Sequence, residues 1–126
     1  MDGSPVLDSP LVIVIDDDFY VRHALASLFT SVGYRVECFE NADIFLAHSF
    51  DEDGALIVSD YQMPGTDGIE LCRRLRDRGS LIPVILITAF ATAGVRHSAP
   101  AVGIVEVLEK PFDPSTLLDV VRAIIG

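Results

Sequence analysis

The chain has 126 residues, a length typical of one domain with a single hydrophobic core. Half of its residues are hydrophobic, and burying them can offset the entropy of ordering the backbone, which excludes a disordered chain. Nineteen acidic residues against nine Lys and Arg give a net charge of −10, and such a field repels nucleic acid and anionic lipid. We therefore expect this domain to bind neither nucleic acid nor a membrane.

The leader and the two cysteines narrow the class of protein further. Residues 1–10 carry no basic residue before the first apolar stretch, which argues against a signal peptide, and we expect a flexible leader there before a domain at 11–126. The longest charge-free stretch, Gly79–Val95, is too short for a membrane span. Cys38 and Cys72 lie apart in apolar patterns, which predicts two reduced core thiols and a cytoplasmic location.

Five short apolar runs alternate with helical patterns along the chain. The first run lacks polar alternation and ends abruptly in three aspartates, which predicts a strand covered on both faces. The predicted strands are Leu11–Ile15, Tyr34–Phe39, Ala55–Val58, Ile82–Ile87 and Ile104–Leu108. The predicted helices are one from Tyr20 that Gly33 closes, one capped by Asn41, Asp67–Arg76, a fourth within Ala91–Val102, and one with Asp113 as its N-cap and Pro114 as its first residue.

This alternation favours an α/β fold with a parallel sheet and helices on both of its faces. Such sheets bind ligands beyond the carboxyl ends of their strands, where the strand order reverses. The residues that end the strands are therefore the candidate functional residues: Asp16 and Asp17 after the first strand, with Asp18 just beyond them, Asp60 after the third, Thr88 after the fourth and Lys110 after the fifth.

Several carboxylates gathered at one sheet edge repel one another unless a cation lies between them. Carboxylate oxygens without His or Cys suit Mg²⁺, with Mn²⁺ as the other candidate. Lys110 and Thr88 can each contact a phosphoryl oxygen, so the set matches the requirements of phosphoryl transfer. Asp60 is the best candidate nucleophile because it stands alone on a central strand facing the acidic pair.

The sequence resembles a response-regulator receiver domain of two-component signalling, with similarity from Leu11 to Ile125. The segments that carry the resemblance are VIVIDDDFYVR, LIVSDYQMPGTDGIEL, PVILITAF and VLEKPF. The helix start at Asn41–Asp43 is similar to receivers of LuxR-type regulators. The resemblance implies a doubly wound, flavodoxin-like (βα)5 fold with strand order 2-1-3-4-5.

The resemblance also implies a role for each site residue. Asp60 would accept a phosphoryl group from a sensor histidine kinase or phosphotransfer protein, and so switch an output domain or a partner protein. Asp17 would bind Mg²⁺ directly, Asp16 through water, and the main-chain carbonyl of Gln62 would complete the protein ligands together with Asp60. Thr88 and Lys110 would contact the phosphoryl group, and the Lys110–Pro111 bond would be cis. The domain would catalyse only its own phosphorylation and dephosphorylation, and a homodimer is one possible assembly.

Two departures from the family pattern affect the expected output. Receivers usually have Phe or Tyr three residues before the lysine, where this chain has Val107. The fourth helical stretch contains Gly94 and Pro100, which disfavour a helix interior by roughly 1 and 3 kcal/mol relative to Ala. We therefore predict a shortened or irregular fourth helix and activation through ordering of that segment.

Weaker signals have simpler interpretations. The four arginines between Arg73 and Arg78 are interrupted by Asp77 and follow Glu70, which favours a solvated, salt-bridged helix face over a nucleic-acid patch. The three histidines are far apart in sequence, and we assign none of them to catalysis or metal binding, although His23 could modulate the acidic pair.

Three other functions remain open from the sequence. A haloacid-dehalogenase-type phosphatase also uses a strand-end Asp with Mg²⁺, and Asp16 and Asp18 have the offset that it needs, but the chain has no room for a cap domain. A flavin-binding module would need a phosphate loop where three aspartates stand. A pseudo-receiver acting only as a protein-interaction module would fit Val107 and Pro100.

Overall fold

The computed structural model describes residues 9–48 and 55–126, and it forms alternating strands and helices. The first eight residues of the predicted leader lie outside the described residues. The strands are β1 (Leu11–Ile15), β2 (Arg35–Phe39), β3 (Ala55–Asp60), β4 (Val84–Thr88) and β5 (Glu106–Glu109). The helices are α1 (Phe19–Ser31), α2 (Ala42–Leu46), α3 (Gly68–Asp77), α4 (Ala93–Ala101) and α5 (Pro114–Ile125).

The five strands form one parallel sheet in the order β2-β1-β3-β4-β5. This order confirms the doubly wound, flavodoxin-like fold. The chain steps outward from β1 to β2 and then returns past β1 to β3. The strand order therefore reverses between β1 and β3, and a ligand site is expected beyond their carboxyl ends.

The core lies on both faces of the sheet, because successive side chains of a strand point to opposite faces. On β1, Ile13 and Ile15 pack with α2, α3 and α4 on one face, and Val12 and Val14 pack with α1 and α5 on the other. Every residue of β1, β3 and β4 is buried, which confirms the prediction that the first strand is covered on both faces. A central β1–β3 pair fixed on both sides gives a rigid base for the residues that follow it.

One of the two cysteines predicted to lie in the core is on the edge strand β2 and is exposed. Cys72 on α3 is buried, as expected, but Cys38 on β2 is exposed. β2 pairs with only one neighbouring strand, and its residues are half-buried or exposed. An apolar pattern in the sequence does not distinguish an edge strand from a central one. The prediction that Cys38 lies in the core was therefore wrong.

The fourth helix is regular over a shorter span than the predicted segment. α4 begins at Ala93 after the N-cap Thr92, whose Oγ1 accepts from the Val95 N–H at 3.2 Å. Gly94 falls in its first turn and Pro100 in its last, so neither lies in the middle of the helix. The shortened helix is confirmed, whereas an irregular helix is not.

The predicted polar face of α3 is also confirmed. Glu70 forms ion pairs with Arg73 and with Arg74, the latter at 3.5 Å. Over the described residues, no helix combines the length and apolar character that crossing a membrane requires.

Candidate functional site

Strand register brings three carboxylates together at the carboxyl edge of the sheet. Ile15 of β1 pairs with Ser59 of β3, so Asp16 and Asp60 both stand one residue beyond that pair. One carboxylate oxygen from each of Asp16, Asp17 and Asp60 lies within 4.8 Å of the other two. Asp16 and Asp60 are buried, whereas Asp17 is exposed, so the cluster opens to solvent on one side.

Asp16 is held by contacts to its side chain and its backbone. Its Oδ1 accepts from the Asp18 N–H at 2.9 Å, and its Oδ2 accepts from the Lys110 ammonium at 3.1 Å. The Arg22 guanidinium donates to the Asp16 carbonyl oxygen at 2.7 Å. A carboxylate with no solvent exposure is therefore compensated by two N–H donors, one of them a cation.

Asp18, the third residue of the acidic run, does not belong to the carboxylate cluster. It is the N-cap of α1, and its Oδ1 accepts from the backbone N–H groups of Tyr20 and Val21 at 2.8 and 3.3 Å. A carboxylate in that position satisfies helix N–H groups that have no partner within the helix. Asp18 therefore caps a helix, and of the acidic run only Asp16 and Asp17 join Asp60 in the cluster.

The electrostatic surroundings of Asp60 disfavour its negative charge. Burial and the nearby Asp16 raise the pKa of Asp60 to about 6, against an ordinary value of 3.8. Lys110, whose Nζ lies 3.5 Å from Asp60 Oδ1, and the Tyr61 N–H, which donates to the same oxygen at 2.9 Å, act in the opposite direction. At neutral pH, Asp60 is therefore mostly an ionised carboxylate that a further cation would stabilise.

Lys110 reaches the cluster from the end of the outer strand β5. Burial works against its charged form, but Asp16 and Asp60 outweigh burial and raise the pKa of Lys110 above its usual value. Its side chain is 26% exposed and forms ion pairs with both carboxylates. The following Lys110–Pro111 bond is cis, as the resemblance implied.

Thr88 ends β4 beside these groups. Asp60 pairs with Ile87 in the sheet, so Thr88 is one residue beyond the strand position of Asp60. Its carbonyl accepts from the Lys110 N–H at 2.7 Å, and its Oγ1 accepts from the Phe90 N–H at 3.0 Å. Thr88 is almost fully buried, and its hydroxyl donates to no acceptor among the described residues, so its proton is available to a ligand.

The loop after β3 passes close beneath Asp60. A Cβ at Gly68, the first residue of α3, would lie 2.5 Å from both the Asp60 carbonyl oxygen and Leu86 Cδ1, so only glycine allows this approach. Gln62 lies in this loop, and among the described residues no hydrogen bond ends on its carbonyl oxygen. That oxygen remains available as a ligand.

The donor chemistry of the cluster fits a hard divalent cation. Three carboxylates supply oxygen ligands, and the cluster found among the described residues contains neither His nor Cys. Oxygen ligands around Mg²⁺ at about 2.1 Å lie up to about 4 Å apart, so the cluster fits Mg²⁺ or Mn²⁺ after a small closure or with water as one ligand. The raised pKa of Asp60 is consistent with a cation site, because the protein groups around Asp60 do not fully compensate its negative charge.

A five-stranded parallel sheet with acids, a threonine and a lysine at its carboxyl edge defines a receiver-type α/β signalling domain. The family model for the response regulator receiver domain matches residues 12–122. The chain therefore belongs to the response regulator receiver domain family and is a signalling domain of two-component systems.

Relatives and solved structures agree with this assignment. The chain is 39% identical over 115 residues to the transcriptional regulatory protein FixJ of Azorhizobium caulinodans, covering 91% of this chain and 54% of that protein. It is 34% identical over 113 residues to the response regulator protein TodT of Pseudomonas putida, covering 90% and 50%. The chain thus spans about half the length of the curated relatives it matches.

The fold is also shared with solved structures of relatives. The structure of FixJ-N superposes with a TM-score of 0.81 at 32% identity, over 92% of this chain and 93% of that one. The structure of the response regulator StyR gives a TM-score of 0.86 at 38% identity, over 93% of this chain and 59% of that one.

Sequence reasoning missed three groups that support the site. Arg22 carries no site signal in the sequence, although its guanidinium donates to the Asp16 carbonyl oxygen. Glu109 accepts from the Ala91 N–H at 3.2 Å and so links the end of β5 to the β4–α4 loop. Asp43 bonds to Thr66 in the loop after β3, and only its place near the start of α2 was predicted. The last two contacts join residues 18 and 23 positions apart, and no local pattern in the sequence signals them.

Proposed function

We propose that this domain is a phosphoacceptor in which Asp60 receives a phosphoryl group from the phosphohistidine of a sensor histidine kinase or phosphotransfer protein. The observation that carries the proposal is the position of Asp60: a buried carboxylate beside Asp16 and Asp17, with the Lys110 ammonium 3.5 Å from its Oδ1. Phosphoryl transfer depends on a positioned nucleophile and on charge stabilisation around the phosphoryl oxygens, and this arrangement can supply both.

In the proposed reaction, a carboxylate oxygen of Asp60 attacks phosphorus as the phosphorus–nitrogen bond of the phosphohistidine breaks. The electron pair of that bond leaves with the imidazole, and Asp60 becomes an aspartyl phosphate. The Asp60 pKa of about 6 supports this role, because the carboxylate is mostly ionised at neutral pH. Lys110 would shift its ion pair toward the phosphoryl group, and the Thr88 hydroxyl would donate to another phosphoryl oxygen.

A bound Mg²⁺ or Mn²⁺ would neutralise the charge that builds up on the phosphoryl oxygens. Asp17 would hold the cation directly, Asp16 through water, and Asp60 and the Gln62 carbonyl would complete the protein ligands. The fit of three carboxylates to a hard cation supports this set. Hydrolysis of the aspartyl phosphate would reverse the modification. The domain would then catalyse only its own phosphorylation and dephosphorylation.

Phosphorylation would switch an output domain or a partner protein in the cytoplasm, with a homodimer as one form of the active state. Direct nucleic-acid binding by this domain is disfavoured by its charge of −10. Val107, where relatives usually have an aromatic residue, supports an output carried by ordering of the α4 segment. It is also the observation that favours the second candidate, a pseudo-receiver that works only as an interaction module.

The phosphatase alternative receives less support. A haloacid-dehalogenase-type site would use Asp18 as its second acid, and Asp18 here accepts two backbone N–H bonds at the start of α1. Its carboxylate is therefore committed to a helix cap rather than to the carboxylate cluster.

The test is intact-mass measurement after incubation with Mg²⁺ and acetyl phosphate. We expect the mass of one phosphoryl group, stable in acid and labile in base. Asp60→Asn should abolish the adduct. Asp18→Asn is the matched control, because it removes a neighbouring charge while keeping a good helix cap, and it should leave the adduct intact. A folded wild-type protein that gains no phosphoryl group from acetyl phosphate or from a phosphohistidine donor would contradict the proposal and favour the pseudo-receiver.

A further inference from the structure

The loop between β3 and α3 is anchored to β4 at its start and closed on itself at its end. The Tyr61 N–H donates to the Ile87 carbonyl of β4 at 2.9 Å, and the Gly68 N–H donates back to the Tyr61 carbonyl at 2.9 Å. Gln62 lies between these two points. The position of the Gln62 carbonyl therefore depends on the contacts that hold the loop residues between Tyr61 and Gly68.

Thr66 in this loop forms a two-point contact with Asp43 of α2. Its hydroxyl donates to Asp43 Oδ1 at 2.7 Å, and its backbone N–H donates to Asp43 Oδ2 at 3.3 Å. Thr66 is buried, so its hydroxyl depends on Asp43 as its partner. These two hydrogen bonds from Thr66 lower the pKa of Asp43, which keeps it an ionised acceptor.

Two further residues, Gly65 and Arg74, lie next to the Asp43 carboxylate. Gly65 has φ of +80°, and a side chain there would overlap the Asp43 carboxylate, so glycine lets the loop approach α2. Arg74 of α3 lies 3.8 Å from Asp43 Oδ1. The Asp43 carboxylate thus joins α2, the loop and α3 at one point.

We propose that Asp43 and Thr66 are positioning residues that hold the β3–α3 loop in place so that the Gln62 carbonyl faces the cation. We call this contact the Asp43–Thr66 clamp. The inference rests on the proposed function, since it concerns the same cation site. Partners that orient a metal ligand without touching the metal commonly set affinity, because a mobile ligand must be ordered before it binds.

The clamp acts on one ligand of the cation and touches neither the nucleophile nor the phosphoryl contacts. Its loss should therefore weaken binding of Mg²⁺ while leaving the transfer step unchanged once the cation is bound. This separation distinguishes a positioning role from a general loss of structure, which would lower both.

The experiment compares Thr66→Val, which removes the hydroxyl at nearly constant shape, with Thr66→Ser, which keeps it. Calorimetric titration with Mg²⁺ should show a Kd about 10-fold higher for Thr66→Val, the low end of the effect of removing a group that orients a metal ligand, and a value near wild type for Thr66→Ser. The rate of phosphorylation by acetyl phosphate at saturating Mg²⁺ should stay within about 2-fold of wild type in both variants. Asp43→Ala should raise the Kd at least as much as Thr66→Val, since it removes both hydrogen bonds.

Arg74→Gln provides a further control, because it removes the cation near Asp43 but leaves both Thr66 hydrogen bonds in place. It should change the Kd for Mg²⁺ by less than about 2-fold, as expected for an exposed ion pair. A Thr66→Val protein that is folded by circular dichroism and binds Mg²⁺ as tightly as wild type would overturn the clamp. Failure of the wild-type protein to accept a phosphoryl group would instead contradict the proposed function, so the two failures are distinguishable.

Discussion

Lys110 Nζ lies 3.1 Å from Asp16 Oδ2, although the two residues are 94 positions apart in the chain. Lys110 follows β5 at one edge of the sheet and Asp16 follows β1, with β3 and β4 between them. The lysine side chain therefore extends across the carboxyl ends of two strands, one of which carries Asp60. The lysine thereby compensates part of the negative charge of the acidic cluster.

Removing the lysine should destabilise the metal-free protein. In Lys110→Ala, Asp16 would keep a side chain that is 1% exposed but would lose its cationic partner. Because Lys110 is itself partly exposed, we expect the free energy of unfolding to fall by about 1–3 kcal/mol, less than for a fully buried pair. Urea unfolding followed by circular dichroism in EDTA measures this change. Lys110→Arg should lose less, and equal stability of Lys110→Ala and wild type would show that the ion pair does not support the cluster.

The raised pKa of Asp60 gives a defined pH dependence. Since the folded protein holds this proton more tightly than the unfolded chain, the stabilising contribution is complete below pH 3.8 and is lost as pH rises through about 6. Without Mg²⁺, Asp60→Asn should therefore be more stable than wild type at pH 8 by about 1–2 kcal/mol, and the difference should vanish toward pH 4. Thermal or urea unfolding at several pH values tests this. A less stable Asp60→Asn protein at pH 8 would be inconsistent with charge repulsion at the site.

Two helix-start glycines form a matched pair of substitutions. Gly68→Ala places a Cβ 2.5 Å from the Asp60 carbonyl oxygen and from Leu86 Cδ1, so we expect a loss of about 2–4 kcal/mol in unfolding free energy and slower phosphorylation. Gly94→Ala meets its nearest atom, Thr92 Oγ1, at 3.8 Å and should stabilise α4 by about 0.5–1 kcal/mol. Chemical unfolding of both variants, with acetyl phosphate labelling, measures the contrast. Similar effects at the two positions would mean that the close approach beneath Asp60 carries no strain.

The α4 segment should become more ordered on phosphorylation. Pro100 has no N–H to donate to the Arg96 carbonyl, so the last turn of α4 lacks one helical hydrogen bond. We expect amides from Val95 to Ala99 to exchange more slowly after addition of Mg²⁺ and beryllofluoride, a phosphoryl analogue. Amides of α1 near Phe29, which is fully buried, serve as the control and should not change. Full protection of α4 in both states would rule out activation by ordering of this segment.

The strand-end residues show how far the sequence predicts this molecule. Runs such as Leu11–Ile15 and residues 84–87 are apolar throughout, which identifies central parallel strands, and the parallel arrangement then brings Asp16 and Asp60 to one edge. Local patterns such as the caps at Asn41 and Asp113 were also predicted correctly, because the signal lies within three residues of the cap.

What the sequence did not predict depends on contacts between distant parts of the chain. Asp16, Asp17 and Asp18 are chemically identical, and only the start of α1 decides that Asp18 caps a helix while its neighbours join the cluster. Cys38 lies in an apolar pattern, but its exposure is set by the edge position of β2. Likewise, no local pattern in the sequence relates Asp43 to Thr66.

The most direct test of the central claim is chemical mapping of the phosphorylated residue. After incubation with Mg²⁺ and acetyl phosphate, borohydride reduction converts an aspartyl phosphate to homoserine, and peptide mass spectrometry locates it. We predict homoserine at position 60 alone, dependent on Mg²⁺ and absent without the phosphodonor. Homoserine at position 16 or 17, or none in a folded protein that binds Mg²⁺, would contradict the assignment of Asp60 as the phosphoacceptor.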